Sequence, residues 1–219
     1  MLKCCRTHGI VIKTVKLREA DLFLTVLTAD HGRLTVLARN IRNSRKRFMG
    51  GIDLFDCGSF DLGLPQKAHG PYTLQNLDSR ESWPALRNNL QKYSLASFCL
   101  EVTLHFAPED DIDAASLFPP LYRTLRSINS ADSAEKATLF ALYYNLFLLS
   151  ISGYNVVEDG ARLNRLPELK HWLSEMLRNE LPIMPFERPL LKQGLQLVAL
   201  FTQEIIGRQI QSLNSAVLG

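Results

Sequence analysis

Apolar positions change their spacing once along this chain, near Ser82. Before it they fall in short runs rich in β-branched residues, at 10–17, 22–28, 34–38, 52–62 and 72–77. Turn residues separate the runs, which predicts five strands. Asp30-His31-Gly32 has the composition of a tight hairpin, with Gly32 free to take positive φ. Gly58 and Gly63 sit inside or at the end of the fourth run, where a bulge or sharp bend is expected. Five short strands with glycine bends in about 80 residues predict a small closed barrel, of which the OB-fold is one form. An SH3-like barrel gives nearly the same pattern.

After Ser82 the period becomes helical. Ser82 can cap a helix, and Pro84 is tolerated in its first turn. Leu86, Leu90, Tyr93, Leu100 and Leu104 recur at helical spacing as far as Pro108. After the polar loop at 109–113 a helix is expected through Leu121, Leu125 and Ile128. Another is expected over 132–152, apolar nearly all round and so central to a bundle, ended by Gly153. Two more are expected at 166–178 and 187–206. The predicted fold class is α+β, a five-stranded OB barrel over residues 1–80 and a helical domain over 81–219. Within "LFALYYNLF" (139–147), Tyr143 and Tyr144 are adjacent, so one of them is expected to reach a boundary.

Charge sharpens the division. Residues 1–80 carry 13 Lys+Arg against 7 Asp+Glu, a net of +6, and 81–219 carry 12 against 15, a net of −3. Such asymmetry points the first half toward an anion. The excess peaks at "ARNIRNSRKRF" (38–48), with Arg39, Arg42, Arg45, Lys46 and Arg47 and no acid. Taken alone, the run reads as a solvated connector before it reads as a phosphate-gripping surface.

Catalytic constellations are missing. The sequence has no GxGxxG, GxxxxGK or GxSxG. The carboxylates of "EDDID" (109–113) lie on a loop flanked by Pro108, where solvation is the expected state. The five histidines have no metal-ligand spacing and the four cysteines no C-x-x-C, which predicts neither zinc nor disulfides. Charges interrupt residues 2–15, and the apolar stretch at 139–151 is shorter than the about 18 residues of a membrane span. A non-enzymatic cytoplasmic protein without a cofactor is the expectation.

One long segment resembles a known family. "GIVIKTVKLREADLFLTVLTADHGRLTVLARNIRNSRKRF" (9–48) is similar to the N-terminal signature of the RecO family of recombination mediators. The matching features are Glu19 and Asp21, Leu27-Thr28, Gly32-Arg33, the basic stretch 39–47, and Phe55 for the aromatic of an L-x-P-F element. Gly153-Tyr154 and "GRQIQSLNSAVL" (207–218) agree further on. The chain departs from the family at Arg39-Asn40-Ile41-Arg42, where a Gly-containing element is usual, and at Leu54, which replaces proline. Many members carry a four-cysteine zinc module after the Gly-Tyr, whereas "NVVEDGARLNRLPELK" (155–170) has no cysteine.

The resemblance implies a bacterial, nucleoid-associated protein that binds single- and double-stranded DNA and anneals strands. It also implies that the protein helps replace single-strand-binding protein with RecA, working with RecR. Expected phosphate contacts are Arg39, Arg42, Arg45, Lys46 and Arg47, then Arg33, Lys13, Lys16 and Arg6. Phe48 is the nearest stacking candidate. Arg123 and Arg126 are candidates for the acidic C-terminal tail of single-strand-binding protein. An RNA-binding OB protein and a protein–protein adaptor are the alternative readings.

Overall fold

A computed structural model describes residues 4–17, 19–41, 51–67, 70–81, 83–158, 163–178 and 188–213. Its strands are β1 (Cys4–Lys16), β2 (Leu22–Thr28), β3 (Gly32–Ala38), β4 (Cys57–Gly63) and β5 (Tyr72–Glu81). They close in the order β1-β2-β3-β5-β4, with β4 returning to β1. The β3–β5 pairing is parallel and the other four are antiparallel, the order and sense of an OB-fold barrel. Closure needs a strand long enough to pair on both edges, and β1 supplies it with 13 residues. The two-residue period of the strands sends Val11, Leu24, Val26, Leu34, Val36, Phe60, Leu62 and Leu77 into the barrel core. The register slips between Cys57 and Ser59, at the predicted Gly58 bend.

The hairpin between β2 and β3 follows from local chemistry. Gly32 takes φ +67, and Thr28 Oγ1 donates to the Gly32 carbonyl (2.8 Å) while accepting from the His31 N–H (3.0 Å). β4 starts at Cys57, five residues later than the fourth apolar run suggests. Asp53 to Asp56 form a turn instead: the Asp56 N–H donates to the Asp53 carbonyl, and the Asp53 N–H to the Asp56 carboxylate. Phe55 sits in that turn at φ 70 and is fully buried. Its N–H donates to the Val11 carbonyl, and its own carbonyl accepts from the Trp83 indole at 2.8 Å.

The helices are α1 (Pro84–Asn88), α2 (Leu90–Phe106), α3 (Phe118–Ser130), α4 (Ala134–Ile151), α5 (Pro167–Arg178) and α6 (Arg188–Ile206), with a 3-10 turn at Ile112–Leu117. The predicted cap Ser82 lies outside the described residues. Where one helix to residue 108 was expected there are two, because Asn89 interrupts the run and its side chain accepts from the Lys92 N–H. α4 buries ten residues around its circumference, as its uniform apolarity predicts, with Tyr144 buried and Tyr143 at the boundary. Gly194 of α6 faces Leu142 of α4 so closely that a Cβ there would lie 3.0 Å from Leu142 Cδ2. Among the described residues no helix is long and apolar enough to cross a membrane.

The chain divides into two compact units, Met1–Trp83 with Thr103–Tyr122, and Pro84–Val102 with Arg123–Gly219. The 103–122 segment is tied to the barrel by Arg33, whose Nη1 donates to the Leu104 carbonyl (2.7 Å) and whose Nη2 is 3.7 Å from the Glu109 carboxylate. Thr35 adds a hydrogen bond to Glu109.

Candidate nucleic-acid interface

Strand register decides which of the predicted cations share an end of the barrel. Lys16 pairs with Leu22, and Leu22 pairs with Ala38, so Lys16 and Arg39 stand at one end of the barrel. Lys13 is three residues back along β1, opposite Thr25. All three are exposed, and none carries an ion pair among the described residues. Arg39 leads directly into the rest of the basic run. Arg42, Arg45, Lys46, Arg47 and Phe48 lie outside the described residues.

Within the departure from the family pattern, residues 40 and 41 have a clear local geometry. Asn40 adopts φ 55, a left-handed value that asparagine tolerates better than most residues. Its N–H donates to the Asp21 carboxylate (2.8 Å), and the next N–H, of buried Ile41, donates to the Ala20 carbonyl (2.8 Å). Asn40 thus fills the turn that glycine would otherwise make. Asp21 is the second acid of the Glu19/Asp21 pair, and its carboxylate holds the start of the basic run against the β1–β2 turn.

Arg6 and Arg33 are placed differently. Arg6 lies 3.5 Å from Asp61 and 3.6 Å from Asp78, on a side chain 61% exposed. Arg33 is only 19% exposed and is spent on Leu104 and Glu109. Both sit away from the Lys16–Arg39 end. Arg123 and Arg126 are exposed on α3 at three-residue spacing, which puts them on one helix face.

A cleft of about 630 Å³ was not legible in the sequence. His31, Leu34, Lys67, Tyr72, Asp110 and Ile112 are among its walls. These come from the β2–β3 turn and β3, the β4–β5 connection and the start of β5, and the 3-10 turn with the loop before it, so no linear motif records them. Burial, followed by the charges of Cys5 and Asp110, raises the Tyr72 hydroxyl above its ordinary pKa. The cleft opens at the hairpin end of β3, opposite the Lys16–Arg39 end, and Lys67 is the lysine on its wall.

Residues 1–83 match the family model described as "Recombination protein O N terminal". The chain is similar to the DNA repair protein RecO of Syntrophus aciditrophicus, 29% identical over 162 residues, which are 74% of this chain and 61% of that protein. It is similar to the DNA repair protein RecO of Dehalococcoides mccartyi, 28% identical over 149 residues, 68% of this chain and 56% of that protein. With that of Desulfosudis oleivorans it shares 31% over 138 residues, 62% of this chain and 53% of that protein. The matches thus span less than two thirds of each relative's length. The barrel is matched from first strand to last by the recombination protein O model, and the relatives extend the likeness to RecO proteins well beyond residue 83.

Proposed function

We propose that this chain binds single- and double-stranded DNA through the phosphate backbone and serves recombinational DNA repair as a mediator, without covalent chemistry of its own. The observation that carries the reading is the placement of Lys16 and Arg39 at the same end of the barrel, from which the basic run departs. Lys and Arg at phosphates release counterions and give affinity that ignores sequence. Annealing needs that kind of grip, because base edges stay free to pair. The relatives, each named a DNA repair protein RecO, support a place in DNA repair, and the mediator role is what the resemblance to the RecO family implies. In it, the protein acts with RecR to bring RecA onto DNA coated by single-strand-binding protein. Arg123 and Arg126 are the proposed seat for that protein's acidic tail.

The deciding experiment is annealing of complementary strands, measured with and without single-strand-binding protein on the DNA. Faster annealing in both conditions is the expected result. Binding without annealing would leave a simple DNA-binding barrel. For the tail, Arg123→Ala with Arg126→Ala is expected to weaken binding of an acidic, Phe-ended peptide while DNA affinity holds.

A further inference from the structure

Three donors of different chemistry, from three strands, meet on the outer face of the barrel. Cys57 of β4 pairs with Glu81 of β5, and it lies two positions from Ser59, the β1 partner of His8. Direct pairing and two-residue spacing set all three side chains on one face. His8 Nε2 is 3.6 Å from Cys57 Sγ, and the nitrogen, the sulfur and a Glu81 carboxylate oxygen all lie within 4.8 Å of one another. Bonds of about 2.3 Å to sulfur and about 2.0–2.1 Å to nitrogen separate the two ligand atoms of a tetrahedral zinc by about 3.6 Å. The His8–Cys57 pair already has that separation. A small rotation of Glu81 brings in the third ligand.

We propose that His8, Cys57 and Glu81 form a binding site for a divalent transition metal of the zinc class, clipping β1, β4 and β5 together. The donor set of imidazole, thiolate and carboxylate suits zinc among common divalent ions. A dication with one thiolate and one carboxylate is neutral, which a half-buried place tolerates. Binding breaks the Cys57 S–H bond, forms a metal–sulfur bond and releases the proton to solvent, with no change of oxidation state. The neighbouring carboxylates Glu81 and Asp56, which oppose a bare thiolate here, attract a dication.

The surroundings are those of an oriented ligand set. The Tyr122 hydroxyl donates to Glu81 Oε1 at 2.6 Å and fixes the carboxylate. Phe118 stands edge-on to the His8 ring, 5.7 Å between centroids at 81°, and stacks on Tyr122. Cys57 is buried while His8 and Glu81 are half-exposed, so an ion has a way in from solvent. This site is separate from the four-cysteine module usual in the family the chain resembles, which would fall after Gly153-Tyr154. Its donors are 8, 57 and 81, a spacing that no linear search for metal ligands detects.

The test uses the full chain, stripped with chelator and titrated with Co²⁺, then Zn²⁺. The expected result is one equivalent of Co²⁺ with a near-ultraviolet thiolate-to-cobalt charge-transfer band, displaced by Zn²⁺. Cys57→Ser removes the band. His8→Gln and Glu81→Gln weaken binding at least about tenfold, and Tyr122→Phe weakens it by about tenfold. Circular dichroism checks that each variant is folded. A thiol–imidazole hydrogen bond without metal affinity predicts no band in the native chain, and that outcome overturns the site. A band that survives in Cys57→Ser overturns it too and transfers the metal to Cys4 and Cys5. Should Cys57→Ser not fold, undiminished Co²⁺ affinity in folded His8→Gln has the same force.

Discussion

Gly32 lies so close to Asp111 that a Cβ added to it would sit 1.8 Å from the Asp111 carbonyl oxygen. The hairpin of the barrel and the loop ahead of the 3-10 turn touch backbone to backbone at this point. Gly32→Ala therefore meets two obstacles, a left-handed φ of +67 and a carbonyl that no side-chain rotation can move aside. Gly51 has the first obstacle alone, with φ +77 and open space where an added Cβ would stand. Gly51→Ala is expected to cost about 1–2 kcal/mol, the left-handed penalty, and Gly32→Ala clearly more, about 3 kcal/mol or above. Urea unfolding of the two variants side by side checks the difference.

Phosphate contact by the basic run has a signature in salt. Changing Arg45, Lys46 and Arg47 together to Ala is expected to weaken DNA binding equally for unrelated sequences. The slope of log affinity against log salt falls by up to about 0.7 per lost contact on single strands. Exposed substitutions of this kind cost roughly 0.5 kcal/mol or less each, so the fold is expected to hold. Titration of labelled strands at several salt concentrations reads both effects. An unchanged slope in a folded triple variant returns the run to a solvated connector and leaves Lys13, Lys16 and Arg39 to carry the DNA.

Two buried thiols make the fold sensitive to alkali. Burial, and then Glu81 and Asp56, push the Cys57 thiol up to about 12 from an ordinary 9.0. Burial alone pushes Cys99 to about 12, against small opposing contributions from its hydrogen bonds. Above pH 9 the unfolded chain loses these protons while the folded chain keeps them, so stability falls as pH rises from about 9 toward 12. Each thiol contributes up to about 1.4 kcal/mol per pH unit to that fall. Denaturation midpoints at pH 8, 9 and 10, with chelator present, are expected to decline. Cys99→Ala is expected to make the decline shallower.

Asn145 is a polar residue at the centre of a helix bundle. It is 0% exposed, and its amide nitrogen donates to the Ala141 carbonyl (2.7 Å) and to Cys99 Sγ (3.6 Å). Its Oδ1 has no hydrogen-bond partner among the described residues. A buried acceptor left in that state costs about 1–3 kcal/mol. Asn145→Leu is expected to raise the melting temperature by about 2–4 °C. Asn145→Asp buries a charge in the same place and is expected to lower it by more. Thermal unfolding of both variants decides, and a fall in Asn145→Leu would show that the Cys99 contact matters more than the orphan oxygen.

The parts legible in the sequence were those with a local cause. The five strands and the order of the helices follow from periodicity, and the β2–β3 turn follows from Gly32. The late start of β4 was hidden because Leu54 and Phe55 read as strand residues, while the turn that replaces the strand depends on Trp83 reaching back to the Phe55 carbonyl. The exposed places of Lys13, Lys16 and Arg39 agree with their charge. Arg33 was indistinguishable from them in sequence, since its partners, Leu104 and Glu109, come from the other half of the chain. The His8, Cys57 and Glu81 cluster was hidden for the same reason: strand register assembled it.

The return of residues 103–122 to the barrel has a consequence for synthesis. A chain leaving the ribosome presents its five strands first, yet the groups that meet Gly32, Arg33 and Glu81 are still to come. At about 5–20 residues per second, the stretch from Trp83 to Tyr122 takes about 2–8 s to be made. For that interval the nascent barrel lacks Leu104, Glu109, Asp111 and Tyr122, and Arg33 has no carbonyl or carboxylate to meet. A ribosome-bound chain paused near residue 90 is then expected to be cut by protease in the β2–β3 region, and one paused well beyond residue 122 to resist.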